Sequence, residues 1–443
     1  MKETDLTQGK IFQKLIKFSL PMIAGNLLQQ IYNLVDTLIV GRCLGADALA
    51  AVGSAYTLMI FITSIIIGLC MGSGAFFSED YGAGNQKKLK EDIWLSFWFI
   101  LSVSVVICAI IYPGMNFILW ILQTPKELMA LTREYVTVVF VGIIFVFLYN
   151  FFAYLLRSMG NSFMPLVFLA ISSVLNIVLD IWFVAGLNMG VGGAALATVI
   201  AQAVSGLGLL IYSMIKIPVL KNNHERTGFN IQRLKEIIIN DVATGIQQSV
   251  MNFGILMIQG LVNSFGITIM ASFAAAVKID TIAYMPAQEF GNAYSLFVSQ
   301  NYGADEKDRI RKGTHISFVI SALFCVVISL MIFIFAENLM QIFIDADEIR
   351  IIAEGTRYLK IEGSMYVGIG VLFLWYGYFR GINKPHISLL LTVISLGTRV
   401  ILSYTLAPHT PLGVTAIWSS ILIGWVLADV VGLYLYMKIF NGR

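Results

Sequence analysis

SEDYGAGNQKKLKEDIWLSF, Ser78 to Phe97, returns as SQNYGADEKDRIRKGTHISF, Ser299 to Phe318, with Ser, Tyr, Gly and Ala in register at an offset of 221. Farther on, Arg157 and Arg380, and Gly190-Val191 and Gly413-Val414, keep step at an offset of 223. The chain therefore reads as two collinear halves. Around these anchors the sequence is almost continuously apolar. At ~20 residues per crossing it divides into twelve spans, roughly 15–41, 48–71, 93–113, 135–156, 163–186, 190–215, 238–262, 268–298, 314–336, 358–379, 386–407 and 412–438. Six spans per half is an even number, so both halves begin on the same side of the membrane. The expected fold is an all-α membrane protein, twelve transmembrane helices in two six-helix lobes related by a pseudo-twofold axis along the membrane normal. The expected boundaries are 1–221 for the N-terminal lobe, 222–235 for a polar cytoplasmic linker and 236–443 for the C-terminal lobe.

Composition agrees. Of 443 residues, 58% are hydrophobic and only 12% charged, whereas soluble domains carry about 25% charged residues. With the N-terminus in the cytoplasm, 21 of the 29 Lys and Arg fall in the tails and the loops on that side. The positive-inside rule then predicts a multi-pass cell (plasma or inner) membrane protein with both termini cytoplasmic. Lys10, Lys14 and Lys17 precede a first apolar run much longer than the core of a signal peptide, so no cleaved leader is expected. Cys43, Cys70, Cys108 and Cys325 lack CxxC spacing and read as buried structural thiols.

Within the first span, Asp36 sits in the apolar run Leu15 to Gly41. A lone acid at that depth costs roughly 2.5–3.5 kcal/mol on insertion scales, so it is expected to face protein or a water-filled path. Tyr32, Gln29 and Gly25 continue its face at helical spacing and predict a polar stripe turned toward other helices. Pro21 removes a backbone hydrogen bond and predicts a bend. Asp180 in span five lies at nearly the same distance from its outer end, about 8–9 Å at 1.5 Å per residue. Asn176 is one turn deeper on the same face, and Thr198 on the returning span six falls between them. Two carboxylates in one poorly hydrated pocket cannot comfortably both stay ionised. With amide and hydroxyl oxygens alongside, they suit a proton or a dehydrated Na+, and neutralisation would be felt by the helix bent at Pro21. The same oxygens serve either ion, so the coupling ion is expected to be H+ or Na+ with no organic cofactor.

Pro21, the Tyr32 to Asp36 and Asn176 to Asp180 spacings, Thr198 and the repeated QNYGA-type loops together resemble the multidrug and toxic compound extrusion (MATE) family, over about 15–438. The resemblance is to its DinF-like branch, which implies that Tyr32, Asp36, Asn176, Asp180 and Thr198 form a cation-responsive site in the N-terminal lobe. It also implies export of amphiphilic, often cationic, compounds against inward H+ or Na+. The sequence departs from the NorM-like branch, which has acids in spans seven and ten. Gly245 to Gly260 offers Gln247, Gln248, Asn252 and Gln259 but no acid, and Gly368 to Gly370 offers none.

Span eight carries Lys278, Asp280 and Glu289, and with Gln29 and Asn252 the residues Lys278 and Glu289 are the candidates for a substrate cavity. Local pairing with Arg399 on span eleven or with backbone donors is the competing reading for Glu289. Asp429 in span twelve is a weaker candidate of the same kind. Arg157 and Arg380 read as anchors at span ends. The alternative function is a flippase for lipid-linked precursors. Such a protein would line its cavity with several cations, whereas only Lys278 and Arg399 are counted within spans here, against Asp36, Asp180, Asp280, Glu289 and Asp429. Phosphate-binding, zinc-protease and triad motifs are lacking, so an enzyme is not expected. The expected partners are small amphiphilic or cationic drug-like compounds and the bilayer, with no nucleic acid and no obligate protein partner.

Overall fold

The structure is a computed structural model and describes residues 5–121, 124–221 and 230–441. The first part of the expected linker, 222–229, lies outside the described residues. Every regular element is helical among them. Contacts divide the chain into two units, one of Met1–Leu6 and Leu20–Gly245, the other of Thr7–Ser19 and Ile246–Arg443.

The first unit comprises most of α1 (Ile11–Leu44), α2 (Ala46–Gly82), α3 (Gln86–Ile121), α4 (Met129–Val141), α5 (Ile143–Ser158), α6 (Phe163–Asp180), α7 (Gly190–Lys216), the short α8 (Pro218–Lys221) and the start of α9 (Ile231–Asn263). Beyond Asp180 the α6 helix widens into a π turn, Ile181–Gly186. The second unit holds the rest of α9, then α10 (Ile267–Gly303), α11 (Lys307–Gln341), α12 (Ile349–Gly363), α13 (Tyr366–Gly381), α14 (Pro385–Leu406) and α15 (Val414–Asn441). Arg309 on α11 donates to the carbonyls of Gly9 (2.8 Å) and Gln8 (3.0 Å), fastening the segment ahead of α1 within this unit.

Among the described residues, eight single helices are long and apolar enough to cross a membrane, and α4 with α5, bent by 42°, makes a ninth span. With α1, α9 and the broken pair α12 and α13 the spans number twelve. α1 and α9 carry polar side chains such as Gln29, Asn33, Asp36, Gln247 and Gln248, while α12 and α13 are each too short to cross alone.

The two halves turn at the same places. Left-handed backbone occurs at Gly45 and Gly266, Gly84 and Asp305, Gly160 and Asn383, and Gly190 and Gly413. The first two pairs keep the offset of 221 and the last two that of 223. Where the second half dispenses with glycine it uses Asp and Asn, the side chains that best tolerate this conformation. Within each unit, glycines let helices touch backbone to backbone. A Cβ on Gly377 of α13 would stand 2.5 Å from the Gly291 carbonyl oxygen of α10, and one on Gly206 of α7 would stand 2.6 Å from the Phe145 carbonyl oxygen of α5. Such close approach replaces the hydrophobic drive that is absent between helices in lipid. α11 turns Leu323, Leu330 and Ile334 outward, as a lipid-facing helix must.

Aromatic rings supply much of the core: Phe97 meets Phe147, Phe151 and Phe152 in the first unit, and Phe273 stacks on Trp418 in the second. α1 is helical straight through Pro21. Of the cysteines, Cys70 and Cys325 are buried, but Cys43 is exposed at the end of α1, contrary to expectation.

Candidate functional site

Asp180 is the last α-helical residue of α6 and is fully buried; Asn176 sits one turn before it and is buried as well. The Asn176 amide donates through Nδ2 to Thr198 Oγ1 on α7 at 3.5 Å, and Thr198 donates in turn to the Ala194 carbonyl at 3.1 Å. With its donor held by α7, the amide keeps Oδ1 free. Asp36, half-buried on α1, meets Asp180 side chain to side chain. The structure thus brings together four of the five predicted residues, and Tyr32 lies within electrostatic reach of both acids. Asp36 Oδ1, Asn176 Oδ1 and both carboxylate oxygens of Asp180 are buried without a hydrogen-bond partner.

Unpartnered buried oxygens are costly, and four of them from three side chains, with Thr198 Oγ1 adjoining, form an all-oxygen donor set. That chemistry fits a proton shared between the carboxylates or a hard monovalent cation, and it lacks the nitrogen and sulfur ligands of a zinc site. The π turn begins at the next residue, a deformation often found beside functional side chains.

The polar stripe on α1 is only partly enclosed. Gly25 is buried, where a Cβ would lie 3.6 Å from Leu169, but Gln29 is exposed. In the second unit several expectations change. Lys278 is exposed, because its position on α10 points away from the helices that bury Asp280 two residues later. Glu289 accepts from Asn292 Nδ2 at 3.2 Å, while Arg399 interacts electrostatically with Asp280 and Glu362. The alternative pairing of Glu289 with Arg399 therefore gives way to a local one. Asn252 turns back to donate to the Gln248 carbonyl of its own helix at 3.3 Å. Arg380 is no interfacial anchor: only 3% exposed, it donates to Ser295 Oγ (3.1 Å) and Asn292 Oδ1 (2.9 Å). Asp429 is half-buried near Gly368.

A family model described as MatE matches the chain twice, over residues 21–182 and 243–405. The chain belongs to the MatE family. The matched segments start 222 residues apart and end 223 apart, in step with the internal repeat. The chain is 32% identical to the probable multidrug resistance protein YpnP of Bacillus subtilis over 89% of its length and 88% of the relative's. It is 23% identical to the multidrug export protein MepA of Staphylococcus haemolyticus, over 98% of this chain and 95% of that one. Among solved structures, one of MATE in the bent conformation superposes with a TM-score of 0.93 at 24% identity, covering 100% of this chain and 98% of that one.

In this MatE chain, sequence reasoning passed over several residues. Tyr135 on α4, 5% exposed, and Tyr56 on α2 join Tyr32 within electrostatic reach of Asp36. Asp241, one turn ahead of the acid-free stretch Gly245 to Gly260, is fully buried and accepts from Ser73 Oγ at 2.5 Å. Glu362, 2% exposed, is the penultimate residue of α12. A tally of five acids within spans is therefore too small, and both additions were readable as acids inside the expected spans 238–262 and 358–379. Two pockets were also missed. One, about 220 Å³ and apolar, lies in the first unit between Met59, Ile62, Phe140, Ile143 and Gln202. The other, about 240 Å³ and polar, is lined in the second unit by Gln247, Gln248, Gln288, Asn292, Tyr376 and Arg380.

Proposed function

We propose that this chain is a secondary active multidrug exporter of the DinF-like branch that moves amphiphilic or cationic compounds out of the cell against inward H+ or Na+. The observation that carries the reading is the contact between the Asp36 and Asp180 carboxylates among unpartnered oxygens. Two like charges 4 Å apart repel by roughly 4 kcal/mol at an effective dielectric of 20, so the pair calls for a counter-cation. Binding an ion there and binding a cationic compound are then competing ways to neutralise one lobe, which is the thermodynamic requirement for exchange. The relatives named for multidrug resistance and export support the cargo class. Further support comes from the acid excess within the spans, enlarged by Asp241 and Glu362, which suits cations better than the polyanionic substrates of a flippase.

On this reading 1–221 and 236–443 are the two lobes of an alternating-access carrier, the termini face the cytoplasm, and Tyr32, Asp36, Asn176, Asp180 and Thr198 form the coupling site. Pro21 gives α1 the freedom to bend as that site changes charge. The test is export of a fluorescent organic cation from proteoliposomes under a pH gradient alone and a Na+ gradient alone. Transport driven by at least one gradient and lost in Asp36→Asn is expected. Full transport in the variant would remove Asp36 from the mechanism, and no transport by the wild type under either gradient would overturn the exporter reading.

A further inference from the structure

The offset of 223 that carries α6 onto α14 pairs Ser172 with Ser395 and Leu179 with Leu402. It also sets Arg399 at the position of Asn176, Ser403 at that of Asp180 and Ile421 at that of Thr198. The second unit has thus lost the amide, the acid and the hydroxyl of the first site. Ser403 Oγ is satisfied by Ser420 Oγ at 2.8 Å. Yet a different acid pair faces Arg399 of α14: Asp280 from α10 and Glu362 from α12, 4% and 2% exposed, within electrostatic reach of each other and of the guanidinium.

Tyr366, the first residue of α13, donates to Asp280 Oδ1 at 2.6 Å, and the buried Tyr358 faces Glu362 from one turn earlier on α12. Tyr284 on α10 completes the polar surroundings. α11 brings Ile332 against Gly363, and α15 brings Trp418, whose ring meets Tyr358 at 4.8 Å between centroids. Both carboxylates lie within electrostatic reach of the Arg399 guanidinium. Glu362 Oε2 and Arg399 Nε are both buried without hydrogen-bond partners.

We infer that Asp280 and Glu362 share one exchangeable proton, making this cluster a second cation site that is selective for H+, with Arg399 as a tethered counter-cation. With both acids ionised the cluster carries one uncompensated negative charge in a low-dielectric interior, which is unfavourable. A proton added to one carboxylate oxygen removes that charge and needs no coordination shell. A sodium ion would have to enter beside the guanidinium, at a place where Ser403 is paired with Ser420 and Ile421 offers no oxygen. The site also stands on a break in the helix: the Glu362 carbonyl accepts from the Met365 N–H at 3.1 Å between α12 and α13, and Tyr366 ties the far side of the break to Asp280. The inference goes beyond the export reading and does not depend on it.

The experiment is a difference acid titration of the purified protein in unbuffered detergent solution, from mildly alkaline to mildly acidic, run in sodium and in potassium salt. Glu362→Gln and Asp280→Asn are each expected to take up one proton fewer than the wild type, equally in both salts. Asp36→Asn serves as the contrast, since its lost proton should be one that sodium already suppresses in the wild type. Arg399→Lys keeps the tethered charge and should match the wild-type count. If Glu362→Gln and Asp280→Asn both titrate like the wild type, the cluster exchanges no proton and the proposal falls. It falls equally if their missing proton is one that sodium suppresses. Using two nearly isosteric neutral variants on different helices keeps the test decisive should one fail to fold. Absence of organic-cation export by the wild type would count against the exporter reading alone.

Discussion

Asp92 and Asp180 are both fully buried acids, and they are buried for opposite reasons. Asp92 receives a two-pronged contact from Arg233, Nε to Oδ1 at 2.8 Å and Nη2 to Oδ2 at 2.5 Å, so its charge is compensated by the protein itself. Asp180 has no such partner, and what it meets is another carboxylate. A buried charge without compensation is a cost to folding that function has to justify. Asp180→Asn should therefore abolish gradient-driven export while leaving thermal stability in detergent unchanged or higher; a marked fall in melting temperature would mean that Asp180 is structural. The burial of Asp180 was legible because an acid in an apolar span stands out. The burial of Asp92 was not, because KKLKED reads as a solvated loop and its partner lies 141 residues away.

At the scale of the element, small residues decide how closely helices approach. Gly377 of α13 presses on the backbone of α10, with its Cβ direction closed by the Gly291 carbonyl at 2.5 Å, and backbone cannot step aside as a side chain can. Gly377→Ala is expected to destabilise by roughly 1–3 kcal/mol through overpacking, seen as a lower melting temperature and less monodisperse protein. Gly53 on α2 is the counterexample, exposed and with nothing within 4 Å of the place a methyl group would take. Gly53→Ala should raise stability by up to about 1 kcal/mol, because there only helix propensity is at stake. The sequence shows both glycines alike, since a helix in lipid reads as apolar on every side and its periodicity does not reveal which face meets a neighbour. The π turn after Asp180 was hidden for a related reason: Ile-Trp-Phe-Val-Ala-Gly is an ordinary apolar run.

At the scale of the molecule, each unit carries its own core, and the chain changes unit inside two helices, after Ser19 in α1 and after Gly245 in α9. The start of α9 is held in the first unit by a dense set of polar contacts. Arg233 reaches Asp92 and, at 3.7 Å, Asp80, while Lys88 also pairs with Asp80 at 3.0 Å. Asn240 donates to the Gly72 carbonyl at 3.0 Å, and a Cβ on Gly72 would fall 2.8 Å from the Asp241 Cα, so α9 and α2 touch along their backbones. Arg233→Ala would leave two buried carboxylates short of their counter-charge, and a loss of about 3–5 kcal/mol is expected. Arg233→Lys should not restore it, since a single ammonium cannot reproduce the fork. Thermal unfolding of the two variants beside the wild type checks both statements, and a lysine variant of wild-type stability would show that charge alone suffices.

The sequence by itself determined the class of fold, the duplication and one acid pair. Hydropathy is summed over some twenty residues at a time, a repeat announces itself by register, and an isolated carboxylate in an apolar span has few reasons to be there. The tertiary structure decided which charges are compensated. It turned Lys278 outward, buried Arg380 among Ser295 and Asn292, and brought Glu362, Asp280 and Arg399 into one cluster from three helices. Side-chain electrostatics act over a few ångströms between residues that stand far apart in the chain, and that proximity exists only once the helices have packed.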